Sequence, residues 1–71
     1  MSYRVVLALG TSRARAEQVR AALLSFMPVT ELQRYEKRWT FWVEPPPGRY
    51  HLPWAQMGFK EVERIEAEVY L

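Results

Sequence analysis

Residues 61–71 read Glu61-Val62-Glu63-Arg64-Ile65-Glu66-Ala67-Glu68-Val69-Tyr70-Leu71, and two periods compete in them. Val62, Ile65 and Val69 recur at helical spacing. Ile65, Ala67, Val69 and Leu71 alternate strictly with Arg64, Glu66, Glu68 and Tyr70. Four matches to the two-residue period outweigh three to the helical one, so the segment reads as a strand. As a strand it gives an earlier strand a partner; as a helix it would lie across a sheet.

Upstream, residues 3–9 carry the apolar run Val5-Val6-Leu7-Ala8-Leu9, too short for a helix and closed by Gly10, which marks a central strand. Thr11 and Ser12 then offer N-caps, and Ala16, Val19, Leu23 and Phe26 recur at three- and four-residue spacing over 13–27. Pro28 ends that helix, because the residue before proline is pushed out of the α region. Residues 29–44 hold two runs rich in β-branched and aromatic side chains around a polar tip, Glu36-Lys37-Arg38, the pattern of a hairpin. With neither Gly nor Asn at the tip, a three- to five-residue loop around a type I turn is expected rather than a two-residue turn. The Pro45-Pro46-Pro47 segment favours a stiff polyproline connector, and Pro53 suits the start of a short helix through Met57, with Gly58 beyond its end.

The order strand, helix, strand, strand, short helix, strand implies one α+β domain over residues 1–71. Its expected form is a ferredoxin-like split βαβ sandwich, a four-stranded antiparallel sheet with one long and one abbreviated helix on one face. Alternation sends Val5, Leu7, Leu9, Thr30, Leu32, Trp39, Phe41, Val43, Ile65, Ala67, Val69 and Leu71 toward the helices, to pack with Val19, Leu23 and Phe26. The other face is left uncovered, with Arg4, Val6, Ala8, Glu31, Gln33, Tyr35, Thr40, Trp42, Glu44, Arg64, Glu66, Glu68 and Tyr70.

The composition narrows the chemistry. The chain has 71 residues with no Cys, no Asp, no Asn and a single His, His51. Thiolate nucleophiles, disulfides and Cys-based zinc sites are therefore excluded, and no His-rich metal cluster can form. Eight Glu are the only carboxylates. Catalysis is thus less expected than binding, and no cofactor or metal is called for. A fold this small buries little of its surface, so self-association is the natural reinforcement, most simply as a homodimer. No apolar stretch approaches the length of a membrane span and no signal-peptide core is present, so cytoplasmic residence is expected. Eight Arg against two Lys, without Asn or Cys, fits a thermophilic source or a GC-rich genome.

The expected role is a protein-interaction or accessory module, with Tyr35, Trp42 and Tyr70 on the uncovered face and Trp54 near the connector as contact residues. The alternative is nucleic-acid or anion binding through Arg13, Arg15 and Arg20 of the helix and Lys37 and Arg38 of the hairpin tip. An RNA-recognition motif shares the expected topology and stacks bases on two central strands. Here Trp42 could supply one such platform, but Val6 and Ala8 stand where the other ring would be. A third class, a small-ligand sensor or enzyme with its site between subunits, would have only His51 and Glu pairs such as Glu61 with Glu63, or Glu66 with Glu68, as acid or base.

Overall fold

A computed structural model describes residues 2–44 and 59–67. It contains β1 (Tyr3–Leu7), α1 (Arg13–Leu24), β2 (Gln33–Tyr35), β3 (Arg38–Val43) and β4 (Val62–Ala67). The strands form one sheet in the order β2-β3-β1-β4. Each neighbouring pair is antiparallel, with Val5 opposite Phe41 on one side and Ile65 on the other. The strand reading of the carboxy-terminal segment holds over Val62–Ala67. The expected short helix at 53–57 lies outside the described residues, as do His51, Trp54, Val69, Tyr70 and Leu71.

Each element follows from local chemistry. Gly10 at φ 90° takes the left-handed turn after β1, and Thr11 donates both its hydroxyl and its amide to the Ala8 carbonyl. Ser12 then caps α1, its Oγ accepting the Arg15 amide at 3.1 Å. The buried stripe of α1 is Ala16, Val19 and Leu23, as the spacing requires. The helix closes at Leu24, earlier than expected. Amides of Phe26 and Met27 both return to the Leu23 carbonyl, and this tightened turn swings Met27 inward. Phe26, expected in the core, is 59% exposed.

The hairpin corrects a second expectation. Tyr35 pairs with Arg38, leaving only Glu36 and Lys37 between the strands, at φ 51° and 66°. Two positive φ angles define the type I′ geometry, whose twist matches that of the flanking strands. Neither residue is Gly or Asn, so strand twist and pairing outweigh a local steric cost on two L-residues.

One extra residue on the second strand decides which side chains face the helix. Val29 bridges Val43, yet Gln33 pairs with Thr40, so residues 30–32 oppose only 41–42. This is a bulge, and it reverses the alternation upstream of it. Val29 packs on the core, whereas Thr30, expected inward, is exposed. Glu31, expected on the uncovered face, lines a cleft beside Arg13, Glu17 and Arg20 of α1. The bulge is held by side chains: Arg20 Nε donates to the Thr30 carbonyl at 2.6 Å, and the Thr30 hydroxyl accepts the Trp42 amide at 2.9 Å.

The core comprises Val5, Leu7, Ala16, Val19, Leu23, Met27, Phe41 and Val43, with Tyr3, Val29, Leu32, Trp39, Phe59 and Val62 packed against it. Leu9, expected inward, lies beyond the end of β1 and is 62% exposed. Val6 departs furthest from expectation. It sits on the face without a helix and is nonetheless fully buried.

Phe41→Ala should therefore lower unfolding stability by about 3–5 kcal/mol, and Phe26→Ala by no more than about 0.5 kcal/mol, as read by urea denaturation; equal losses would contradict this core. Replacing the turn by Glu36→Asn with Lys37→Gly should raise stability by about 1 kcal/mol. A lowered thermal midpoint in that double variant would refute the turn geometry.

Candidate functional site

The face of the sheet opposite α1 is built from β2, β3, β1 and β4, and register aligns Tyr35, Trp42, Arg4, Val6, Thr40, Arg64 and Glu66 along it. A chain of ion pairs runs across these strands. Arg38 Nε lies 3.1 Å from Glu63 Oε2, and Arg64 Nη1 lies 3.0 Å from the same oxygen. Arg64 Nε is 3.7 Å from Glu66 Oε1, which is 3.8 Å from Arg4 Nη1. A bulge makes the first link feasible: Val6 opposes Arg64 while Leu7 opposes Val62, and the extra residue is Glu63.

Arg38 belongs to β3 and Glu63 to β4, so their pair passes over β1. Arginine stems laid across a strand cover apolar surface while their guanidinium heads stay hydrated. With Thr40 and Arg64 on either side of it, Val6 is thereby shielded from water without a helix.

Beyond Glu66, Arg4 continues the chain into aromatic chemistry. Its guanidinium lies 4.5 Å from the Tyr35 ring centroid and 4.8 Å from that of Trp42. These are cation–π distances, and a planar cation shared by two rings restricts all three side chains. Tyr35 remains 42% exposed. Trp42 is half-buried and also borders a cavity of about 170 Å³ with Ser2, Pro28, Val29, Thr30, Val43 and Glu44. Glu66 Oε1 is buried between its two arginines without a hydrogen-bond partner, held by charge alone.

Two of the four expected contact residues, Tyr35 and Trp42, thus come together on one face; Trp54 and Tyr70 lie outside the described residues. The arginine joining them, Arg4, was legible only as an uncovered-face residue, because its two aromatic neighbours come from different strands.

The five expected basic residues do not form one patch. Arg15 makes a forked contact with Glu61, Nε to Oε1 at 2.9 Å and Nη2 to Oε2 at 3.3 Å, and its Nη1 donates to Gln18. Arg20 is held by the Thr30 carbonyl and by Glu17 at 3.8 Å. Arg38 lies on the opposite face with Glu63, and Lys37 occupies the turn. Arg13 stands over Trp39 at 5.8 Å, a ring also covered by Arg34 at 4.6 Å. As for the carboxylates, Glu61, Glu63 and Glu66 each face an arginine, and among the described residues no group of metal-ligating side chains converges. No helix of the described residues is long and apolar enough to cross a membrane.

No family model, curated protein or solved structure matches the chain, so the assignments rest on its own geometry.

The Arg15 fork sets a pH response. Hydrogen bonding to Arg15, with a backbone bond adding, holds the Glu61 carboxyl below its ordinary value, and the same hydrogen bond raises the Arg15 guanidinium. A carboxyl lowered in the folded state contributes stability above its unfolded pKa and loses it as pH falls through the folded one. Stability should accordingly decline on acidification below the ordinary carboxylate range, and Glu61→Gln should flatten that decline. Parallel acid limbs in wild type and Glu61→Gln, followed by chemical denaturation, would exclude the fork as a contributor.

Proposed function

We propose that the protein is a non-catalytic contact module that works as a homodimer through the open face of its sheet, as an accessory or regulatory component of a larger assembly. The observation that carries this reading is the Tyr35, Arg4 and Trp42 stack at one end of an ion-paired sheet face. Aromatic rings and arginine are the side chains that dominate protein contacts, and rings already restrained lose little freedom on binding. The ion pairs favour a protein partner over a polyanion. Arg4, Arg38 and Arg64 already meet Glu63 and Glu66, which leaves little free cation to neutralise phosphates.

A second copy suits such a face, because a line of alternating guanidinium and carboxylate groups offers each sign to an identical line crossing it about a two-fold axis. Small size supports the same reading. The strand order β2-β3-β1-β4 with α1 on one side is compatible with the ferredoxin-like split βαβ arrangement, in which residues 53–57 would supply the abbreviated second helix. Cytoplasmic residence and a thermophilic source complete the proposal, the latter supported by the absence of the thermolabile residues Asn and Cys.

Sedimentation equilibrium tests it. The full chain should sediment as a dimer, and Trp42→Glu should sediment as a monomer with its far-ultraviolet circular dichroism unchanged. A wild-type monomer at every concentration, or a Trp42→Glu dimer as tight as wild type, would overturn this interface.

A further inference from the structure

The charged side chains divide into matched and unmatched sets. Among the described residues, Arg4, Arg15, Arg20, Arg38 and Arg64 each lie within ion-pair distance of a carboxylate, and Arg13, Arg34, Lys37 and Lys60 do not. Two of the unmatched arginines meet at one ring. Arg34 is the cross-strand partner of Trp39 and stands 4.6 Å from its indole centroid, and Arg13, on the first turn of α1, stands 5.8 Å from it.

Each guanidinium is drawn to the same neutral ring, which leaves both positive charges uncompensated. The first turn of α1 contains no acidic residue to balance them. The helix end is not itself the site, since Ser12 already caps it. What the pair of guanidiniums lacks is an anion able to accept from both, and guanidinium forks match a tetrahedral phosphate.

The surroundings limit the size of that anion. Next to Arg13 a cleft of about 280 Å³ is bordered by Glu17, Arg20, Glu31 and Leu32. Arg20 is taken up by Glu17 and the Thr30 carbonyl, so among the described residues the cleft has no spare cation beyond Arg13, and its two carboxylates repel an extended polyanion. We propose that Arg13 and Arg34, set on Trp39, form a site for a single phosphate group, carried by a small phosphate ester or by one nucleotide unit of single-stranded nucleic acid. This site lies on the helix side of the sheet and is independent of the dimer face.

Nitrogen-15 NMR of the full chain reads it directly, with inorganic phosphate and a short unphosphorylated oligothymidylate as separate probes. Saturable shifts are expected at the Trp39 indole N–H and at the Nε–H of Arg13 and Arg34. Arg13→Gln and Arg34→Gln should each weaken the response about tenfold, and Lys60→Gln should leave it unchanged. Saturation by inorganic phosphate points to a small ester as the source, and saturation by oligothymidylate alone points to nucleic acid. No saturable shift with either probe, or equal weakening by Lys60→Gln, would overturn the site.

Discussion

β1 is hydrogen-bonded on both edges, to β3 and to β4, and its residues Val5, Val6 and Leu7 are all fully buried. A central strand with apolar side chains on both faces must have both faces covered, and burying each such side chain contributes about 1.5–3 kcal/mol. One helix can shield only one of them. The Ala16, Val19 and Leu23 stripe of α1 closes the side of Val5 and Leu7. On the other side Val6 lies between Thr40, itself buried, and Arg64, on the face that carries the ion-paired arginines and glutamates.

That second face explains the electrostatics of the molecule. Individually, partly exposed ion pairs contribute no more than about 1 kcal/mol. Their larger effect is positional. By meeting Glu63 and Glu66, Arg38, Arg64 and Arg4 are held flat over the sheet, and Arg4 reaches Tyr35 and Trp42 from there. The same arrangement pairs Arg4, Arg38 and Arg64 on the open face, whereas two of the unmatched cations among the described residues, Arg13 and Arg34, stand around Trp39. A chain with a net charge of only +2 is in this way locally partitioned, with an ion-paired aromatic face on one side and a guanidinium pair on the other.

Much of the fold was legible because it rests on short-range pattern. The Val5 to Leu7 run, the Ala16, Val19 and Leu23 spacing with Ser12 ahead of it, and the alternation within residues 64–67 each report a local period that the structure keeps. The errors occur where a local preference met a non-local demand. Glu36 and Lys37 would not choose positive φ alone, yet the pairing of Tyr35 with Arg38 requires it. Thr30 and Glu31 exchanged faces because a bulge adds one residue, and no alternation pattern announces where that residue goes. Phe26 yielded its place to Met27 because the helix stopped short of Pro28.

The candidate sites show the same division. Composition alone removed thiol and disulfide chemistry, and strand alternation placed Tyr35 and Trp42 on the face without a helix. Neither could tell which arginines were spent on internal partners, because Arg15 with Glu61, Arg38 with Glu63 and Arg4 with Glu66 join residues on different elements. Side-chain periodicity is a property of one segment of chain and survives without its neighbours. Ion pairs and cation–π contacts require two segments in a definite register, and that register exists only once the sheet has formed.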